Sequence, residues 1–134
     1  NHLSNVSINE TVQKNMMFIK YDLSLCYLSL NSYKKAIALM HDVVTYYEKH
    51  MAQDLYFYKK KMLAYTYSLN KDISKADALY QDCFHFYYHQ YEQHQFYTTE
   101  LKKLLNDMYV FYQTNHMTSS IQSIEAIMMQ LNLS

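Results

Sequence analysis

Residues 27–39 have the sequence YLSLNSYKKAIAL, and residues 67–79 have the sequence YSLNKDISKADAL. Both segments begin with a tyrosine and end with a Lys-Ala-x-Ala-Leu element, and 40 residues separate Ala36 from Ala76. A third, weaker copy aligns Phe111 with the leading tyrosines and Ser120 with the two alanines, 44 residues after Ala76. Self-similarity at such a period predicts a helical repeat protein.

Apolar residues in each copy recur every three or four positions, which is the period of a helix and not of a strand. In the first copy they are Phe18, Tyr21, Leu25 and Leu28 before the break, then Ile37, Met40, Val44 and Tyr47 after it. The same pattern in the other copies predicts six helices. The expected fold is all-α, a right-handed α-solenoid of about three antiparallel hairpins. They cover residues 10–50, 51–92 and 94–131 of a single domain, 10–134, which follows an N-terminal extension, 1–9.

The 134 residues include no glycine and no proline. Phosphate-binding loops and dinucleotide folds depend on glycine, so the usual nucleotide-binding enzymes are excluded. Without proline, nothing interrupts long helices, and Asn, Asp and Ser are the remaining turn formers. The chain is therefore expected to be almost entirely helical.

The expected helix boundaries follow from the polar residues between the apolar runs. Asparagine is the best substitute for glycine in the left-handed position after a helix. Ser, Asp and Thr cap helix starts, and residues 7–10 match a capping box that would open the first helix. The predicted left-handed residues are Asn31, Asn70 and Asn115, and the predicted caps are Ser32, Asp72 and Thr118.

Charge and cysteine usage narrow the possible partners and compartment. Twelve basic and twelve acidic residues give a formal net charge of zero, which argues against nucleic-acid binding by this segment. Cys26 and Cys83 lie in apolar helical patterns and are expected to be buried thiols of a reducing compartment. No membrane span or signal peptide is evident. We expect a cytoplasmic protein without membrane contact, and, since the chain begins at Asn1, a piece of a longer one.

Small residues mark the expected helix crossings. Ser24 and Ala64 precede Ala36 and Ala76 by twelve positions, where close helix approach needs short side chains. With Tyr27 and Tyr67, these residues resemble the pattern of the tetratricopeptide repeat, which has a small residue, an aromatic three positions later and an alanine in the second helix. The third copy, with Met108, Phe111 and Ser120, matches only the aromatic, and the closing proline is missing throughout.

Repeats longer than usual, rich in Tyr, Asn, Lys and Met, resemble the C-terminal sensor region of the Rgg and PlcR class of peptide-responsive regulators. That resemblance implies a domain that binds a short signalling peptide and forms a homodimer. In such proteins DNA binding belongs to an N-terminal helix-turn-helix, for which this chain shows no signature.

The first helix of each hairpin is expected to line a concave groove. Aromatic and Met side chains there would bury a peptide's side chains, while Asn, Lys and Asp would meet its backbone or termini. Packing between helices is the alternative interpretation for any single residue. The predicted groove residues are Phe18, Tyr21, Asp22, Leu25, Tyr58, Lys61, Met62, Tyr65, Lys102, Leu105, Asn106, Tyr109 and Tyr112.

No constellation for catalysis emerges from the sequence. His85 and His89 lie four apart with Glu92 three further on, but they are better explained as partly exposed helix residues than as metal ligands. We therefore expect no enzyme activity, cofactor or metal. The favoured hypothesis is a peptide sensor of a cytoplasmic transcriptional regulator, and its rival is a constitutive protein–protein scaffold.

Overall fold

The computed structural model describes residues 2–50 and 52–131, with side chains described from residue 8. Within these ranges the chain forms six α-helices and no strand, which confirms the all-α class. None of these helices is long and apolar enough to cross a membrane. The helices are α1 (His2–Ser29), α2 (Tyr33–Lys49), α3 (Gln53–Leu69), α4 (Ile73–His94), α5 (Thr98–Thr114) and α6 (Thr118–Gln130).

Each helix packs chiefly against its neighbours in the chain, and α4 packs more extensively on α3 than on α5. Between α1 and α2 the Lys35 ammonium lies 5.5 Å from the Tyr27 ring centroid close to the turn, and Lys20 pairs with Asp42 at 3.2 Å farther from it. Later residues of α2 thus meet earlier residues of α1, so the two helices are antiparallel.

The contacts of the first hairpin recur in the second hairpin 40 residues later. Lys75 lies 5.6 Å from the Tyr67 ring centroid, and Lys60 pairs with Asp82 at 3.0 Å. The same residue types therefore perform the same packing in both hairpins.

All three hairpin turns close with the same backbone hydrogen bond. The amides of Ser32, Asp72 and Met117 donate to the carbonyls of Tyr27, Tyr67 and Tyr112, at 2.8, 2.9 and 2.9 Å respectively. In the third turn the equivalent residues therefore lie 45 positions after those of the second. The alignment that placed Phe111 with Tyr67, and Ser120 with Ala76, was wrong by one residue, and Ile121 takes the place of Ala76.

The left-handed residue of each turn lies four positions after the tyrosine whose carbonyl accepts that bond. These residues are Asn31, Lys71 and His116, with φ of 60°, 66° and 55°. The prediction was correct for Asn31 and wrong for Asn70 and Asn115. Both of the latter keep negative φ at the helix end, where their side-chain amides donate to the Asp72 carboxylate and the Phe111 carbonyl, respectively.

The predicted caps also need correction. Ser32 and Asp72 occupy the expected N-cap positions, but neither side chain makes a capping hydrogen bond. The N-cap of α6 is Met117 and not Thr118, because the third turn is one residue out of the predicted register. The first helix begins at His2, so residues 7–10 do not open it and α1 runs through the predicted boundary after residue 9.

Small residues occupy the buried helix crossings, as predicted. Ser24, Ala36, Ala64 and Ala76 are all fully buried. Of the two cysteines, Cys83 is buried but Cys26 is exposed on the outer side of α1, so the expectation of a buried thiol was wrong there.

Candidate binding face

The first helices of the hairpins share one side of the molecule, and α3 lies at its centre. It contacts α1 through Lys59 and Tyr21 and contacts α5 through Lys61 and Asp107. We call the surface along these helices the α1–α3–α5 face, defined by Phe18, Tyr21, Tyr58, Lys61, Tyr65, Asp107 and Val110.

Lys59 is the electrostatic centre of the α1 side of this face. Its ammonium lies 3.3 Å from the Tyr21 ring centroid and 5.3 Å from that of Tyr58, and the residue is only 9% exposed. Burial lowers the pKa of Lys59, and the nearby Asp22 carboxylate partly opposes that shift. The cation is therefore held by aromatic ring faces in a partly dehydrated position.

Tyr21 and Tyr58 both place their rings beside the Lys59 ammonium. Burial is the main cause that raises the pKa of Tyr21 to about 12, and Tyr58 adds to it. The Tyr21 phenol is therefore neutral near pH 7 and able to donate a hydrogen bond to a ligand carbonyl.

On the α5 side, a groove of about 290 Å³ lies between α3 and α5. Tyr65 and Val110 stand at its sides, and Tyr80 of α4 lies at its base. Lys61 pairs with Asp107 across the two helices at 3.4 Å. Tyr58 and Tyr65 are each 46% exposed and lie seven residues apart, on the same side of α3. The groove therefore combines the aromatic side chains of Tyr65 and Tyr80 with the Asp107 carboxylate, and Lys61 pairs with that carboxylate from outside the lining.

Several predicted groove residues contribute mainly to packing. Leu25 and Met62 are half-buried against the cluster of Met40, Val44 and Leu63, while Asp22 is exposed beside Lys59. Leu105 is fully buried. Leu25, Met62 and Leu105 therefore pack between helices, which was the alternative interpretation of the apolar residues predicted for the groove.

Tyr112 lies in the core between α4 and α5. It is 1% exposed; its hydroxyl donates to Asp77 at 2.6 Å and accepts from the Gln81 amide at 2.7 Å. It therefore positions α4 against α5 and lies beneath the groove between α4 and α6, away from the groove between α3 and α5.

The other predicted residues of α5 do not line the groove between α3 and α5. Lys102 and Asn106 are exposed, and Tyr109 is half-buried against the core. The misplaced third register accounts for Lys102 and Tyr109, because one residue rotates a helix position by about 100°. Asn106 aligns with Lys61 at the corrected spacing. The structure instead brings Asp107 and Val110 to the groove, where the corrected 45-residue spacing aligns them with Met62 and Tyr65.

Two further features bear on chemistry. A second groove of about 270 Å³ lies between α4 and α6, lined by Gln81, Phe84, Ser119, Ser123 and Ile127, among others. Burial raises the pKa of the Cys83 thiol to about 12, so this sulfur stays protonated and is not a nucleophile. In the described ranges no three His, Cys, Asp or Glu side chains are grouped to hold a metal ion.

Neither a scan against protein-family models nor a search of curated proteins finds a match for this chain. Its function is therefore inferred from its own residues.

Proposed function

We propose that this chain is a tetratricopeptide-like sensor domain of a cytoplasmic transcriptional regulator, which binds a short peptide on the α1–α3–α5 face. The observation that carries the proposal is the pair of partly exposed tyrosines on α3, Tyr58 and Tyr65. Tyr65 lines a groove that also contains the Asp107 carboxylate, and Asp107 pairs with Lys61 of α3. The proposed architecture is a right-handed α-solenoid of three hairpins. It is supported by contacts that recur after 40 residues and by a turn hydrogen bond that recurs three times.

The chemistry of the face suits an extended apolar peptide. Tyr65 and Val110 offer apolar area for one or two side chains, and the hydroxyls of Tyr21 and Tyr58 suit the polar backbone. Lys61 is already charge-paired, so a peptide carboxylate would compete with Asp107 for it. The face therefore favours a ligand with apolar side chains and a single free carboxylate.

The binding test is native mass spectrometry of the purified chain with a library of short hydrophobic peptides. A stoichiometric adduct is expected with the unchanged chain and is expected to be lost in the double variant Tyr58→Ala and Tyr65→Ala. Phe96→Ala is the matched control, because Phe96 is an exposed aromatic outside this face. Binding that survives the double variant, with helicity by circular dichroism unchanged, would refute the assignment of this face.

The second candidate function is a constitutive scaffold for a protein partner. The Lys61–Asp107 pair favours this function, because it already holds α3 and α5 together. A face fixed in this way can bind a partner without rearrangement. Hydrogen exchange separates the candidates: a sensor ligand should change protection in α4 or α6, beyond the face, whereas a scaffold partner should protect the face alone. The proposal that this domain belongs to a transcriptional regulator also predicts that the gene encodes a helix-turn-helix upstream of Asn1.

A further inference from the structure

The outer side of α1 carries a continuous apolar stripe, which we call the α1 stripe: Ile8, Val12, Met16, Ile19, Leu23, Cys26 and Leu30. The six large apolar members are 42% to 71% exposed, and Cys26 is exposed among them. From Val12 onward the spacing alternates between four and three residues, which is the seam of a two-helix coiled coil. No charged residue interrupts the stripe.

The α1 stripe has the same register as the surfaces that join one hairpin to the next. Leu63 and Thr66 lie 40 residues after Leu23 and Cys26; both are buried, and Thr66 contacts the Met40 sulfur of α2 at 3.8 Å. The residue a further 45 positions after Thr66 is Phe111, also buried, whose ring lies 5.2 Å from that of Tyr80 on α4. In α3 and α5, then, these positions are covered by the preceding helix.

The opposite end of the array does not match the α1 stripe. Asp77 and Tyr80 of α4 contact α5, and the residues 45 positions later on α6 are Gln122 and Glu125, both exposed. A polar surface of this kind closes a repeat array. Head-to-tail stacking of two copies would bury Glu125 against apolar side chains, which is unfavourable. The same stripe on a second copy offers an apolar surface of equal length and spacing, with no charged residue to bury.

We propose that two copies of this chain associate through their α1 stripes, as an antiparallel α1–α1 pair about a two-fold axis. The antiparallel direction follows the packing of α2 on α3 and of α4 on α5 in the same register. Opposing layers then place Ile19 of one copy against Leu23 of the other, Met16 against Cys26, and Val12 against Leu30. This inference is independent of the proposed peptide.

Electrostatics and area both permit this pairing. Lys20 and Asp22 flank the stripe, and each has a neighbour of opposite charge in its own chain, Asp42 and Lys59 respectively. The six exposed apolar side chains present roughly 600 Å² per copy, so pairing buries at most about 1,200 Å² in total, which is the lower limit of stable interfaces. We expect a dimer that dissociates on dilution.

Analytical ultracentrifugation of the unchanged chain tests the association. The expected result is a species of twice the chain mass at high concentration and monomer in the double variant Ile19→Glu and Leu23→Glu. Met129→Glu is the matched control, since Met129 is an exposed apolar residue of α6, and it should remain dimeric. A monomeric unchanged chain, or a double variant that still dimerises, overturns the proposal. Circular dichroism checks that all variants stay helical.

Cysteine cross-linking tests the direction of the pair. In the proposed register the two Cys26 residues are offset by about 15 Å along the direction of the paired helices. A disulfide requires Cα atoms within about 7 Å, so the two thiols are too far apart to form one. Oxidation of the unchanged chain should therefore give no covalent dimer, whereas Met16→Cys should pair with the native Cys26 and give one. Covalent dimer from the unchanged chain, or none from Met16→Cys, overturns the antiparallel register.

Discussion

The ammonium of Lys59 lies 3.3 Å from the ring centroid of Tyr21, in a position that is almost fully covered. A cation on a ring face is worth about 0.5–2 kcal/mol, but dehydration of the ammonium opposes it. Burial lowers the pKa of Lys59, and the Asp22 carboxylate only partly opposes that shift. In the folded state the charged form of Lys59 is thus less favoured than in water.

From this balance we predict that Lys59→Met raises the free energy of unfolding at pH 7, by up to about 1 kcal/mol. Methionine keeps the apolar stem and removes the charge. Lys102→Met, at an exposed site, is the control and should change stability by less than about 0.5 kcal/mol. Urea unfolding followed by circular dichroism measures both. A clear loss of stability in Lys59→Met would show that the ring contacts dominate.

Tyr112→Phe should destabilise the chain by about 1–3 kcal/mol, because the change leaves Asp77 and Gln81 without their buried partner. Tyr109→Phe is the matched control on the same helix and should cost less than about 0.5 kcal/mol. The measurement is again urea unfolding. Equal effects of the two variants would mean that the Tyr112 hydroxyl contributes nothing to the packing of α4 on α5.

Stability is expected to fall as the pH rises above about 10. Burial raises the pKa of Tyr80, Tyr87 and Tyr112, and it is the main cause of the rise to about 12 for Tyr21. These phenols lose their protons in the unfolded state at lower pH than in the folded state. Their contribution to the free energy of unfolding is therefore complete at pH values below their pKa in the unfolded state. It is lost as the pH rises from that value to their pKa in the folded state.

Urea midpoints measured at several pH values from 9 to 11.5, with tyrosinate absorbance recorded in parallel, should show this decline. Tyr112→Phe removes one of the titrating groups, so its pH dependence should be shallower than that of the unchanged chain. A midpoint that stays constant over the range would contradict the prediction.

The Lys61–Asp107 pair links α3 to α5 at 3.4 Å with the Asp107 carboxylate half exposed. A double-mutant cycle with Lys61→Gln and Asp107→Asn should therefore give a coupling energy below about 1 kcal/mol, and salt should reduce it. The unaltered pair Lys20 and Asp42 is an internal reference in every variant. A coupling well above that limit, insensitive to salt, would indicate a dehydrated pair.

Sequence reasoning succeeded where residue type alone determines packing. Ser24, Ala64, Ala36 and Ala76 are buried because only short side chains fit the crossings. The ion pair Lys60–Asp82 was also predictable in principle, since Lys20 and Asp42 occupy the same positions 40 residues earlier.

Sequence reasoning failed where the three-dimensional surroundings of a residue determine whether it is buried or exposed. Lys59 aligns with the apolar Ile19, and nothing in its own neighbourhood distinguishes a covered lysine from a solvated one. The third hairpin lacks the small residues that fix the register, so aligning Ser120 with Ala76 placed Lys102 and Tyr109 on the wrong flank of α5. That error also hid Asp107 and Val110 from the predicted groove.

The corrected register makes a final prediction about Ala76 and Ser120. Ala76 is fully buried at the crossing of α3 and α4, so Ala76→Leu forces extra volume into a packed site and should cost about 1–3 kcal/mol or more. Ser120 lines the open groove between α4 and α6, so Ser120→Leu should change stability by less than about 0.5 kcal/mol. Thermal and urea unfolding of both variants measure the difference. If Ser120→Leu costs as much as Ala76→Leu, the two residues are equivalent after all, and the one-residue shift of the third turn is refuted.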